Sequence, residues 1–464
     1  MSSSGQTYTY TFSLGSNIGR RMQTMRQAMD AISRRVGRVT SCSPMAETEP
    51  WGYQSTHRYL NCALEATSCL APREVLAVTQ QIERELGRES KTVGGHYEDR
   101  VIDIDILLCD RLVIYSPELR IPHPRMWQRA FVTDCLRKML PDNGSGGSCN
   151  DAVVTAPRAA TIGFFDGAHL GHRHLAQQLV QLNRGRDAKA VMLTFDRHPH
   201  DAICPDEPPV ALLSTPAGKR EAFAYLRRDV EMWCMEFSPA MAALTAREFM
   251  QYVLREQLNI DTLLIGYDHH FGRPLGGETF DDYVRYGRET GIRVVRATEL
   301  DSVPCHVSSS AIRRAIASSD FARADAMLGY AYTWYGRVVH GDAIGRRLGF
   351  PTANLEALHP ETILPPGGVY AAMVTLPGGR QLPAMLNIGT RPTIAAPAAR
   401  VTVEAHIIGL HDDIYGLHVG VNFKARLRDE HRFGSTEELA RQLRHDRDEV
   451  VRLLGGGAAG PAQS

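Results

Sequence analysis

Hydrophobic positions along the chain change period three times, and each change marks a different kind of structure. Met22, Met25, Met29, Ile32 and Val36 recur at helical spacing, as do Val75, Thr79, Ile82 and Leu86 between Pro72 and Gly87, predicting two amphipathic helices among strands. PDNGSGGSCNDAVVT, between Leu140 and Ala156, resists regular structure and reads as a connector. Beyond it, apolar runs near Leu193, Leu264 and Val294 alternate with helical stripes such as Leu175, Leu179 and Leu182, the pattern of a doubly wound α/β domain. Past Tyr330 the period falls to two. Val401, Val403, Ala405 and Ile407 share one face, and Val419, Val421, Phe423 and Ala425 another, predicting a small β-barrel or sandwich. Ser435 and Glu438 suggest a capping box opening a last helix through Leu439, Leu443, Val450 and Leu453.

At 464 residues the chain is too long for one core, and it divides into residues 1–142, a linker at 143–156, a second domain over 151–329, a third over 330–455, and a Gly/Ala-rich tail, 456–464, expected to be disordered. Hydrophobic residues make up 43% and formal net charge is zero, so no global field draws the chain to nucleic acid or an anionic membrane. Anionic ligands must meet local clusters. Nine scattered cysteines with no Cys-x-x-Cys pair, an N-terminal stretch without a basic-then-apolar leader, and no long apolar run predict a soluble, cytoplasmic protein with reduced thiols. Self-association is left open.

IGFFDGAHLGHRH, Ile162 to His174, follows a strand and opens a helix. Gly163, Gly167 and Gly171 allow close backbone approach, and His169 and His172 stand at a helix N-terminus, where free N–H groups favour phosphate. With His174 they equally fit a metal cluster or a polar turn. GYDHHFG (Gly266–Gly272) and VSSSAIR (Val307–Arg313) complete an ordered set that resembles the His-x-Gly-His nucleotidyltransferases that adenylylate flavin, with His269 in place of an aromatic residue and Ser310 in place of Thr. The resemblance implies a Rossmann-like domain in which FMN phosphate attacks the α-phosphorus of ATP. His169 and His172 would contact the phosphates, Ser308, Ser309 and Arg313 would clamp pyrophosphate, and Asp268 and Phe271 would meet the flavin.

GRVVHGDAIGRRLGFPTANL places Gly341, Gly345 and Gly349 at four-residue intervals, a phosphate cradle or a set of ordinary turns. Thr352 and Asn354, two apart, share a face in an extended segment and can offer oxygens to a nucleotide-bound Mg²⁺. Together with GVYA at Gly368, NIGTRPT at Asn387 and VEAH at Val403, this stretch resembles the riboflavin kinases, antiparallel barrels with a C-terminal helix. The likeness implies Glu404 as general base toward the riboflavin 5′-hydroxyl, with Asn387 and Arg391 at the flavin. An Asp expected after this strand is replaced by Gly409, with Asp412 and Asp413 nearby.

VIDIDILL puts Ile102, Ile104, Ile106 and Leu108 on one face of a strand and Asp103 and Asp105, about 7 Å apart, on the other. Such a pair is either a solvated strand face or a seat for Mg²⁺ shared with ATP. SLGSNIG at Ser13, YLNCALE at Tyr59, IERELGR ending at Arg88, YEDRVIDIDIL and IPHPRMWQRAF at Ile121 resemble, in order, the hydroxymethyl-dihydropterin pyrophosphokinases, which are α+β ferredoxin-like domains. The implied reaction moves pyrophosphate from ATP to the pterin hydroxymethyl group. Asp103 and Asp105 would hold Mg²⁺, Arg88, Arg100, His123 and Arg129 would bind phosphates, and Asn61, Trp51, Tyr59 and Phe131 would receive the pterin. The loop ESKTVGGHYEDR carries Ser90, His96 and Tyr97 in place of the family's basic and Trp residues, and the family's continuation after RAFV is absent. The alternative for this stretch is an inactive or scaffolding module beside the two flavin activities. ATP, riboflavin, FMN and hydroxymethyl-dihydropterin are the expected small-molecule partners.

Overall fold

The computed structural model describes residues 6–88, 98–139, 156–186, 189–226, 228–266, 271–273, 276–300, 307–340, 349–391, 400–431 and 433–455. Gly341, Gly345, Asp268, His269, Ser90, His96 and Tyr97, most of the expected linker and the 456–464 tail lie outside these residues, as do the side chains of Thr390, Arg391 and Arg400. The chain forms two compact units. The first is Met1–Phe164, Leu175–Glu207 and Tyr225–Thr298; the second is Phe165–His174, Pro208–Ala224 and Glu299–Ser464.

In the first unit, β1 (Tyr8–Ser16), α1 (Arg21–Arg35), β2 (Arg38–Cys42), β3 (Ala46–Thr48), β4 (Tyr59–Ser68), α2 (Pro72–Glu85) and β5 (Asp103–Cys109) make an antiparallel sheet in the order β2-β4-β1-β5, with β3 on β4. This is the βαββαβ, ferredoxin-like arrangement. The α1 stripe differs in detail from the expected one. Thr24, Met25, Ala28 and Ile32 are buried, the small Ala28 completing the packed face, whereas Met22 in the first turn is 46% exposed. Ile102, Ile104 and Ile106 join Phe12, Leu14, Leu64 and Ile82 in the core. Alternation lapses at Leu107 and Leu108, both fully buried, because a second core covers that face as well.

That second core belongs to a seven-stranded sheet. β6 (Leu112–Tyr115), β7 (Arg120–Ile121), β8 (Arg158–Ile162), β9 (Ala190–Phe195), β10 (Val230–Met235), β11 (Ile260–Ile265) and β12 (Arg293–Arg296) lie in the order β12-β11-β8-β9-β10-β6-β7. The first five in that order are the parallel, doubly wound core expected of the middle stretch. The last two come from the N-terminal stretch. β6 pairs in parallel with β10 through Cys234 N to Arg111 O and Glu236 N to Val113 O, both 2.9 Å. Leu107, Val113, Met126, Val132 and Leu136 pack in one cluster with Ile162, Leu193, Trp233, Met250 and Leu263. Gln257, fully buried in the π-helix Met250–Gln257, donates Nε2 to the carbonyls of Ile114 and Pro122 at 3.0 and 3.1 Å. Its own carbonyl accepts Trp127 Nε1 at 2.7 Å. Around the rim, Arg73 forks onto Glu236 at 2.7 and 2.9 Å. The expected boundary after residue 142 therefore falls inside one compact unit.

In the second unit, β13 (Trp334–Val339), β14 (Ala353–Ala357), β15 (Gly368–Thr375), β16 (Gln381–Arg391), β17 (Arg400–Ile407) and β18 (His418–Arg428) close into an antiparallel barrel, β13-β14-β17-β16-β15-β18. Val403, Ala405, Ile407, Val419, Val421 and Phe423 fill its interior as the period-two pattern predicts, whereas Val401 is 52% exposed. β15 is buried on both faces. Tyr370, Ala372 and Val374 face the interior, while Val369 and Ala371 pack with Met385 and Val450 beneath the closing helix Thr436–Leu454. Ser435 caps that helix by accepting from Glu438 N at 3.2 Å, but the Glu438 carboxylate reaches back to Gly434 N instead of completing a box on Ser435.

Gln257→Leu leaves two buried carbonyls without their donor, which costs on the order of 2 kcal/mol. Denaturant unfolding is expected to show that loss, and hydrogen exchange to accelerate in β6 and β10 together. Faster exchange confined to β10 would mean that the two stretches do not open as one.

Candidate functional site

Site-bearing side chains collect in three places, the first in a cavity of about 120 Å³ in the first unit. Its floor is β1, where Gly15 pairs with Asn61 of β4 on one side and Asp103 of β5 on the other. A Cβ on Gly15 would lie 2.7 Å from Asn61 Oδ1, so this position must be glycine for the amide to occupy its place. Asn61 Nδ2 donates to Thr48 Oγ1 at 2.7 Å, which fixes its orientation. Trp51, Tyr59, Phe131, His123 and Arg129 also line the cavity, with the Arg129 guanidinium 5.0 Å over the Trp51 ring.

Asp103 and Asp105 both reach this cavity. Asp103 accepts from Arg88 at 2.7 Å and Arg100 at 2.6 Å, whereas Asp105 has Arg129 at 3.4 Å and His123 at 3.8 Å. Burial and the neighbouring Asp105 charge push the Asp103 carboxyl up. Burial acts on Asp105 too, but His123 and Arg129 outweigh it and hold that carboxyl down. Behind them lies Glu83, which bonds Arg88 and the Ile104 amide and is pushed up to about 7, by burial first and then by the two aspartates against the pull of Arg88.

A second support is built from Asn17, Tyr53, His57 and Asp99. Asp99 accepts from Asn17 at 2.6 Å, Tyr53 at 3.0 Å and His57 at 2.7 Å, and these bonds outweigh burial and lower it to about 2. Asn17 Oδ1 holds the Arg100 amide at 2.6 Å, and Tyr53 meets Tyr59 hydroxyl to hydroxyl at 2.9 Å. Sequence reasoning passed over Glu83, Tyr53, Asn17 and Asp99. The signal for Asn17 lay in SLGSN, where a polar residue follows a buried strand.

The nucleotidyl motif begins at Gly163, directly after β8, where strand order reverses in the parallel sheet, the position at which such sheets bind ligands. In the second unit, Phe165, Gly167 and Ala168 all adopt positive φ in a tight turn around Asp166. Two of these are non-glycine residues, a conformation that must be held by its surroundings. The holding group is Asp166, 2% exposed. It accepts from the Leu213 and Ser214 amides and is paired with Arg313 at 2.6 Å. Arg313 Nε goes to Ala211 O at 2.7 Å, Ser309 Oγ to Asp166 O at 2.9 Å, and Tyr330 OH to Gly167 O at 2.6 Å. Ser308 caps the helix Ser309–Ala317. His169 and His172 stack with centroids 3.5 Å apart, and His169 Nδ1 accepts the His172 amide. Gly171 makes room, since a Cβ there would be 3.3 Å from the His169 ring. Phe271, in the first unit, packs against Phe249 and Tyr283. Asp166 is the residue missed here, although FFDG stood in full view.

In the barrel, Glu404 pairs in register with Asn354 of β14 on one side and Asn387 of β16 on the other, so three expected site residues form a single row across three strands. Asn387 Nδ2 donates to Glu430 Oε1 at 3.2 Å, and Gly389 leaves the space that Glu430 enters. His406 Nδ1 lies 2.9 Å from Pro351 O, which ties the segment carrying Thr352 to β17. Gly349, the one described glycine of the expected cradle, has φ +82°. Glu430, remote in sequence, was not anticipated.

Family models match each region: 7,8-dihydro-6-hydroxymethylpterin-pyrophosphokinase over residues 11–141, FAD synthetase over 152–311 and riboflavin kinase over 328–454. A bifunctional riboflavin kinase/FMN adenylyltransferase of Escherichia coli is 36% identical over 288 residues, covering 62% of this chain and 89% of that protein. A 2-amino-4-hydroxy-6-hydroxymethyldihydropteridine pyrophosphokinase of Porphyromonas gingivalis is 49% identical over 130 residues, 28% of this chain and 88% of that protein. A solved structure described as a macrolide-efflux protein from Streptococcus pneumoniae shares 31% identity at a TM-score of 0.54, covering 64% of this chain and 94% of its own. No described helix here is long and apolar enough to cross a membrane. The chain thus belongs to the bifunctional riboflavin kinase/FMN adenylyltransferase family over its C-terminal two-thirds and, over residues 11–141, to the 7,8-dihydro-6-hydroxymethylpterin-pyrophosphokinase family.

Proposed function

We propose that this one chain performs three ATP-dependent transfers: phosphorylation of riboflavin to FMN, adenylylation of FMN to FAD, and pyrophosphoryl transfer to 6-hydroxymethyl-7,8-dihydropterin. The observation that carries the reading is that each family match coincides with its own convergent set of side chains. All seven described cysteines are free thiols, which supports a reducing, cytoplasmic setting.

In the barrel, Glu404 takes the proton from the riboflavin 5′-hydroxyl as that oxygen attacks the γ-phosphorus of ATP and ADP departs. Asn354 and Asn387, beside it in the ladder, orient nucleotide and flavin. At the nucleotidyl site the FMN phosphate attacks the α-phosphorus of ATP in line and pyrophosphate leaves. His169 and His172 hydrogen-bond the phosphates. Arg313 acts as a positioning residue, because its bonds to Asp166 and Ala211 O hold the turn on which the histidines stand. In the first unit the pterin ring enters beside Asn61, Trp51, Tyr59 and Phe131, and its hydroxymethyl oxygen attacks the β-phosphorus of ATP as AMP leaves. Arg88, Arg100, Arg129 and His123 neutralise the transferred phosphates.

The donor sets fit Mg²⁺. Asp103 and Asp105 are hard oxygen ligands on one strand face of the cavity, and Thr352 and Asn354 offer neutral oxygens. Bound there, the ion screens phosphate charge and aligns the transferred group.

Glu404→Gln is expected to lower FMN formation by about 10³-fold while leaving FAD formation from supplied FMN at the wild-type rate, read by chromatography. If both rates collapse, the sites are not separable. His172→Ala should show the converse, a loss of on the order of 10²-fold in FAD formation with riboflavin phosphorylation intact. An unchanged rate would remove His172 from the phosphate site. For the third activity, AMP release from ATP and hydroxymethyl-dihydropterin is expected to fall by at least about 10²-fold in Asp103→Ala; persistent release in that variant would falsify the role given to the aspartate pair.

A further inference from the structure

His200, Cys204 and Glu207 form a cluster that none of the three transfers uses. His200 lies on the short helix Pro199–Ile203, and the chain continues in tight turns, with Cys204 N donating to His200 O at 2.8 Å and Glu207 N to Cys204 O at 3.1 Å. Spacings of four and three residues then bring the three side chains to one side. An imidazole nitrogen, a thiol sulfur and a carboxylate oxygen all lie within 4.8 Å of one another, and His200 Nε2 is 3.2 Å from Glu207 Oε2. The other imidazole nitrogen, Nδ1, is buried without a hydrogen bond among the described residues and sits 3.7 Å from Asp201 Oδ1.

We propose that this cluster is a Zn²⁺ site, independent of the Mg²⁺ that accompanies ATP. A thiolate selects a softer ion than magnesium, and one N, one S and one O ligand leave a fourth tetrahedral position for water. Zn–N, Zn–S and Zn–O bonds of about 2.0–2.3 Å bring such ligand atoms to within about 4 Å of one another, so small side-chain rotations from the present separations complete the site. Binding displaces the thiol proton to solvent, which leaves the thiolate on the metal. The site lies next to a functional segment. Two residues before His200, the His198 ring packs edge-on against Phe164 at 4.9 Å, and Phe164 follows Gly163 at the end of β8. Metal at His200 therefore pins the segment after β9, whose His198 packs on Phe164 just after β8.

Co²⁺ titration of the full-length chain provides the test, because a cobalt thiolate has a near-ultraviolet charge-transfer band. The wild type is expected to develop that band and, in equilibrium dialysis, to hold one more equivalent of Zn²⁺ than Cys204→Ser. His200→Gln should weaken binding at least tenfold. AMP release from ATP and hydroxymethyl-dihydropterin should be unchanged in both variants, which shows that the unit carrying the cluster is folded. Identical stoichiometry and identical cobalt spectra in the wild type and Cys204→Ser would overturn the proposal, whatever metal the remaining cysteines bind.

Discussion

Two main-chain hydrogen bonds between β6 and β10 decide how the N-terminal stretch is held. An unpaired strand edge presents a row of amides and carbonyls that must find partners, and β6 finds them on a sheet built from residues well beyond the connector. Once that pairing is made, Leu107 and Leu108 are covered on their second face and Trp127 can reach Gln257. β5 carries Asp103 and Asp105 at its start and those leucines toward its end, so the strand that lines the cavity is anchored in the joint core. α3 (Ala130–Met139), the last described element before the connector, packs in the joint core.

Charge is handled differently at the three sites. In the first unit's cavity, carboxylates and guanidiniums are interleaved, Asp103 with Arg88 and Arg100 and Asp105 with Arg129. At the nucleotidyl motif a buried carboxylate, Asp166, organises backbone, with the Leu213 and Ser214 amides and Arg313 among its partners. In the barrel, strand register brings Asn354, Glu404 and Asn387 into one row, and Glu430 bonds Asn387.

Much of this was legible in the sequence. Period-two alternation located the barrel strands because one face of each is buried, and the Asp-x-Asp step was readable because its alternate residues are isoleucines. Motif order separated the three chemistries. What was not legible depends on contacts across sequence: Glu430 beside Asn387, Asp99 beneath Tyr53, and the joint core behind Leu107. The helical stripe at Met22 misled because hydrophobicity marks a face without saying how far the sheet extends beneath it. The pairing of β6 with β10 was likewise out of reach, since a connector in the sequence says nothing about whether the stretches it joins share a sheet.

The β6–β10 pairing also sets an order of events during synthesis. Leu112 leaves the ribosome more than a hundred residues before Val230, an interval on the order of ten seconds at about 5–20 residues per second. Throughout it the N-terminal sheet can form while β6 still lacks its neighbour and Leu107 and Leu108 remain uncovered on one side. The nascent chain thus passes through a stage with an open strand edge and an apolar face that closes only as the nucleotidyltransferase strands arrive, and chaperone demand during expression will follow the middle of the gene rather than its beginning.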